Sequence, residues 1–154
     1  MVKAMTIDWK VVWWTTIFVT IPVTVINRLF VLIQKSLNAD AYASMQGYFA
    51  LYQPDYFPLV FLIAMFVAVF ILTLVYTIIL PQLPSNWIVR GVLIGGFFFL
   101  AADLPYAVHT GYTTMMPGAV ARSAALAALV SDLVNGCVLA NIHMRVARGQ
   151  KKKK

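Results

Sequence analysis

The chain has 154 residues, of which 62% are hydrophobic and 11% charged, and its five acids, all Asp, face twelve Lys and Arg. So few charges cannot cover a compact soluble surface, which excludes an ordinary water-borne domain and leaves an integral membrane protein. The net charge of +7 does not call for nucleic acid, because four of the basic residues are the terminal lysines and most others flank apolar runs, where lipid headgroups meet them.

Four runs, approximately 11–33, 59–80, 88–108 and 120–143, are long enough to cross a hydrocarbon core, which takes roughly 20 apolar residues as helix. Backbone groups in lipid must bond internally, and runs of this length without strict alternation select helices over a barrel. The expected fold class is all-α: a polytopic four-transmembrane-helix bundle, one domain over residues 1–150, with a basic tail at 151–154.

The first run carries Pro22 and Arg28 and lacks a small-residue cleavage site, so it reads as a span and not as a cleaved signal. Thr20, Thr24 and Arg28 recur every four residues, with Thr16 and Asn27 beside them, which draws a polar stripe toward the bundle interior. The Trp13–Trp14 pair and Trp87 read as interfacial belt residues. In the loop that follows, AYASMQGYFALYQPDYFP, the residues Tyr42, Met45, Tyr48 or Phe49, and Tyr52 fall at helical spacing, which predicts a short interfacial helix.

The second run contributes apolar bulk. In the third, the stretch FFFLAADLPYAVHT places Asp103 inside a lipid-compatible run, two residues before Pro105. Counting back along the helix puts Asp103 on the side of the GVLIGG glycines, a spacing typical of helix contacts in lipid, so the acid is expected to face protein. In the fourth run Ala124, Ala128, Asp132, Gly136 and Ala140 form an i+4 ridge flanked by Ser131 and Asn135, and its acid faces the packing side too.

Rise per residue places Arg28 about 26 Å and Asp103 about 22 Å from the inner ends of their helices, with Asp132 about 18 Å below the outer end of its own. These levels predict an Arg28–Asp103 ion pair in the outer half of the bundle, with Asp132 and Asn135 below it. Pro22 and Pro105 each remove an intrahelical bond, to the carbonyls of Phe18 and Ala101, and the freed acceptors are candidates to line a polar site whose mouth holds Tyr106 and His109. The candidate ligand- or ion-binding residues are therefore Arg28, Asp103, Asp132, Asn135, Tyr106, His109 and Asn27. The competing reading makes the same groups interhelical glue, with pair energies near 1 kcal/mol. His143, beside Arg145, reads as an interface residue.

Enzyme signatures are absent: there is no phosphate loop, nucleophile elbow, paired-His motif or CxxC, so no catalytic residue, cofactor or metal is assigned. No internal repeat is visible, which weakens an inverted-repeat transporter. The leading expectation is a small binding or accessory membrane protein whose bundle holds a lipid or hydrophobic small molecule at a polar site, or serves as a subunit of a larger membrane complex. The alternatives are an oligomeric proton- or cation-coupled transporter or channel unit working through Asp132 and Asp103, with homo-oligomers as partners, and a membrane-embedded enzyme.

Lys3 and Lys10, Arg90, and the tail RVARGQKKKK put both termini in the cytoplasm by the positive-inside rule, although Arg122 argues the other way for the third loop. Heavy use of Ala in the fourth run favours a bacterial inner membrane; in a eukaryotic host the lysine tail reads as an endoplasmic reticulum retrieval signal. The segment IPVTVINR, the four-helix size and the lysine tail resemble the EXPERA membrane proteins, which bind sterol-like ligands in a bundle cavity through acidic residues. The resemblance covers a handful of residues, and where that family's pattern places an acid after the Pro-containing segment this chain has Arg28, so it transfers no site.

Overall fold

The computed structural model describes residues 7–44, 57–113 and 118–151, and these form helices throughout, with no strand among them. The elements are α1 (Trp9–Leu37), α2 (Ala39–Ser44), α3 (Phe57–Ile79), a 3-10 turn (Leu80–Gln82), α4 (Trp87–Phe98), a π-helical turn (Phe99–Asp103), α5 (Leu104–Thr113) and α6 (Gly118–Lys151). Four stretches are long and apolar enough to cross a membrane: Trp9–Leu37, Leu59–Gln82, Trp87–His109 and Val120–Gln150. The last helix runs well past the expected boundary near 143, carrying Arg145 and Arg148 on as helix. The interfacial helix expected between Tyr42 and Tyr52 falls mostly outside the described residues; within them only the short α2 is helical.

Side chains set where the spans begin. Asp8 caps α1 by accepting from the backbone N–H of Lys10 (3.1 Å) and Val11 (3.3 Å), and Asn86 caps α4 by accepting from Ile88 N–H at 2.9 Å. Each satisfies an orphan donor of a first turn, a contribution of about 1 kcal/mol. Arg90, one turn into α4, donates from Nε to the carbonyl of Pro84 and fastens the α3–α4 connection.

The last helix is the hub. It packs along α4 on one side and along α1 on the other, while α1 in turn packs on α3. The α1–α6 pair is antiparallel: Asn38 Nδ2 donates to Ser123 Oγ at 3.0 Å and, further along, Asn135 Nδ2 donates to Asn27 Oδ1 at 2.8 Å. Among the described residues α3 and α4 have few close backbone approaches and meet through side chains, with Tyr76 and Val69 of α3 in one core with Ile94 of α4.

The α4–α6 contact depends on missing side chains. A Cβ on Gly95 would run into the backbone carbonyl of Asp132, and one on Gly136 into the backbone of Gly91 and Gly95. Only bare backbone allows helices this close, and the gain is dispersion and weak C–H···O contact along the crossing. Above and beside it, Val19, Val23, Val69, Tyr76, Ile94, Leu139 and Ala140 form the buried core. Ile21, Leu32, Ile63, Phe97 and Leu126 point outward, as a lipid-facing surface requires. Trp13, half exposed, packs its ring across to α3 against Phe70 (centroids 5.1 Å) and Phe66 (6.2 Å).

Candidate functional site: a cleft with two carboxyls

A cleft of about 330 Å³ lies in the half of the bundle away from the chain termini and takes walls from all four spans. Its apolar lining comes from Val19, Val23 and Phe30 of α1, Met65 and Leu72 of α3, and Phe98 of α4. Toward the termini the Ile94–Leu139–Ala140 part of the core closes it. Its polar groups are Asp103, Asp132, Asn135, Asn27, Ser131 and Gln34.

Helix geometry explains why both acids arrive there. On α6, Ala124, Ala128 and Asp132 keep the i+4 ridge, so two alanines leave room in front of the carboxyl. On the third span the π-turn is decisive. Pro105 has no N–H to give the carbonyl of Ala101, and its ring would crowd that oxygen, so the turn before it widens and Leu104 N–H bonds Phe99 O instead. Eight residues at about 100° each would carry a regular α-helix about 80° past the side of Gly95. The wider turn under-rotates and brings Asp103 back to the Gly95 side, facing Asp132, with which its carboxyl interacts.

The hydrogen bonding is one-sided. Asp132 is 7% exposed and Asn135 is 6% exposed. Asn135 spends its amide N–H on Asn27, and among the described residues no group donates to Asn135 Oδ1 or to Asp132 Oδ2. Ser131 gives its hydroxyl hydrogen to the Ala128 carbonyl at 3.0 Å.

Of the residues singled out in the sequence, the structure thus brings together Asp103, Asp132, Asn135 and Asn27. Arg28 is elsewhere: it is exposed on α1 with its guanidinium over the Phe61 ring of α3, 5.8 Å from the centroid, and it does not pair with Asp103. Matching depth was not enough, because Arg28 and Asn27 are about 100° apart around α1, and Asn27 takes the cleft side. Tyr106 is 69% exposed and His109 is exposed on α5, and neither lines the cleft. The Thr stripe is also spent locally, since Thr16, Thr20 and Thr24 donate to the carbonyls of Val12 (2.9 Å), Thr16 (2.8 Å) and Thr20 (2.7 Å).

A second polar cluster, nearer the termini, was not apparent from the sequence. His143, only 4% exposed, sits edge-on to Tyr76 (centroids 5.0 Å) with Nε2 3.4 Å from Thr77 Oγ1, and Arg90 lies beside both rings. Thr77 gives its own hydrogen to the Thr73 carbonyl at 2.8 Å, so it accepts from His143, which makes Nε2 the protonated nitrogen. His143 is therefore a buried packing residue between α3 and α6, not an interfacial one. The i+4 step from Leu139 to His143, on the face of Ala140 and Gly136, was the signal that could have found it.

Among the described residues no three His, Cys, Asp or Glu side chains converge as a metal site. No protein-family model, curated protein or solved structure matches this chain.

Proposed function

We propose that the protein is a small membrane binding or accessory protein that holds an amphipathic molecule, a lipid or a hydrophobic small molecule, in the cleft between its four spans. The observation that carries this reading is the pairing of apolar walls with a few convergent polar groups in one cavity of about 330 Å³, at the lower end of the roughly 300–1,000 Å³ typical of ligand sites. Buried acceptors that the protein leaves without donors support it, since helical glue would satisfy itself. In this reading both termini are cytoplasmic, on the strength of Lys10, Arg90, Arg145, Arg148 and the lysine tail, and the membrane is a bacterial inner membrane.

The test is native mass spectrometry of protein purified in mild detergent, for the wild type and for Ala128→Phe, whose ring would fill the cleft from α6. An adduct of one amphiphile on the wild type, absent from a folded Ala128→Phe variant, supports the reading. An adduct that persists in that variant places the ligand elsewhere.

A second reading, a proton- or cation-coupled carrier, is favoured by the two carboxyls that share the cleft with no basic side chain among its lining residues. Loss of a proton-coupled flux in proteoliposomes on Asp132→Asn, with folding intact, would support it.

A further inference from the structure

The buried cleft atoms that lack a partner among the described residues are both acceptors, while the amides of Asn27 and Gln34 on α1 are the N–H groups that line it. Asp132 Oδ2 and Asn135 Oδ1 are buried and receive no hydrogen bond from the described residues, and the Asn135 amide is held by Asn27, which fixes its oxygen as the group left over. Ser131 cannot serve either, because its hydrogen is committed to Ala128. Asp103 adds a second carboxyl from the opposite wall, and no Lys, Arg or His is among the lining residues. A group that fits between Asp132, Asn135 and Asp103 therefore brings donors, and positive charge suits the two carboxyls.

Head groups can be sorted on that basis. A carboxylate or phosphate would add negative charge and further acceptors to a place that already has two acids. A hydroxyl brings one hydrogen for at least three acceptors. A primary ammonium brings three, matching Asp132 Oδ2, Asn135 Oδ1 and the Asp103 carboxyl, and its charge offsets the acid pair. Behind the head, Val19, Val23, Phe30, Met65 and Phe98 offer only apolar contact, so the rest of the molecule is hydrocarbon.

We infer that the cleft selects a cationic amphiphile, a protonated amine on a compact apolar body, with its ammonium held between Asp132, Asp103 and Asn135. This inference rests on the cleft-binding reading above and narrows it to one chemical class.

The experiment is calorimetric titration of the wild-type protein in phosphatidylcholine nanodiscs with three probes of one shape: aminoadamantane, adamantanol and adamantanecarboxylate, each corrected against empty discs. The amine should bind at least about tenfold tighter than the alcohol, and the carboxylate should not bind measurably. Asp132→Asn and Asp103→Asn should each cut amine affinity by about tenfold and should lower the affinity of the alcohol by less. The wild-type series decides the matter even if a variant fails to fold. Equal binding of amine and alcohol overturns the charge preference but leaves a cleft that binds amphiphiles. Binding of none of the three, together with no adduct in native mass spectrometry, removes the cleft-binding reading itself. A rise in melting temperature with sodium chloride over choline chloride, without amine binding, assigns the carboxyls to an inorganic cation and also overturns the inference.

Discussion

Gly95 lies against the backbone carbonyl of Asp132, so a bare-backbone contact between α4 and α6 sits at the residue that carries a cleft carboxyl. Any side chain at residue 95 must move α6 away from α4, and Asp132 with it. Gly95→Ala should destabilise the protein by about 1–3 kcal/mol through overpacking, despite the better helix propensity of Ala. Gly96 is the control, because its added methyl would meet only Leu133 Cδ2 at 3.9 Å. Thermal melts in detergent should show a lower midpoint for Gly95→Ala and an unchanged or higher one for Gly96→Ala; the same loss in both would mean that the close approach is not what matters.

Asn27 and Asn135 form a side-chain bridge between α1 and α6 that borders the cleft. Asn27→Leu leaves a buried amide N–H without an acceptor. The pair should show a coupling of about 0.5–2 kcal/mol in a double-mutant cycle with Asn135→Leu, the double variant losing less than the sum of the singles. Additive losses would show that the hydrogen bond contributes nothing in lipid.

Arg28 contacts Phe61 and not Asp103, which reverses the expectation from depth alone. Arg28→Met and Asp103→Leu should therefore be additive within about 0.5 kcal/mol. Arg28→Met with Phe61→Leu should couple by about 0.5–1 kcal/mol, the size of an exposed cation–π contact. Strong coupling in the first cycle and none in the second would restore the ion pair.

Pro105 is the cause assigned to the π-turn. Pro105→Leu returns an N–H to the carbonyl of Ala101 and lets the helix regularise, which should turn Asp103 out of the cleft at no cost in stability. The expected outcome is an unchanged or higher melting midpoint with lower ligand occupancy by native mass spectrometry. Unchanged occupancy in a well-folded variant would mean that the turn does not orient the acid.

Thr77→Val removes the acceptor of the buried His143 N–H while keeping shape, and should cost about 1–3 kcal/mol, measured by melting against a Thr20→Val control whose hydroxyl bonds only its own helix.

Much of this fold is legible in the sequence because lipid imposes simple demands. Run length alone places four helices, and the i+4 ridge from Ala124 through Asp132 to Ala140 is read correctly because α6 is regular over that stretch. Asp103 was placed toward protein by α-helical counting from the glycines, although the side it shares is reached through a π-turn that counting does not contain. Arg28 was misplaced for a different reason: axial depth is readable from residue number, but the azimuth of a residue depends on which neighbour each helix face meets. Asn27, one residue away, takes the inward position. The His143 cluster was missed because its partners, Tyr76, Thr77 and Arg90, come from two other helices, and nothing in their own segments marks them as neighbours.

The apolar walls of the cleft have a practical corollary for the proposed ligand. An amphiphile that suits those walls also partitions into the bilayer, so the membrane sets the concentration that the cleft meets. Occupancy then follows its mole fraction in the bilayer, so titrations at fixed aqueous dose but different lipid loads should report different apparent affinities for one and the same site.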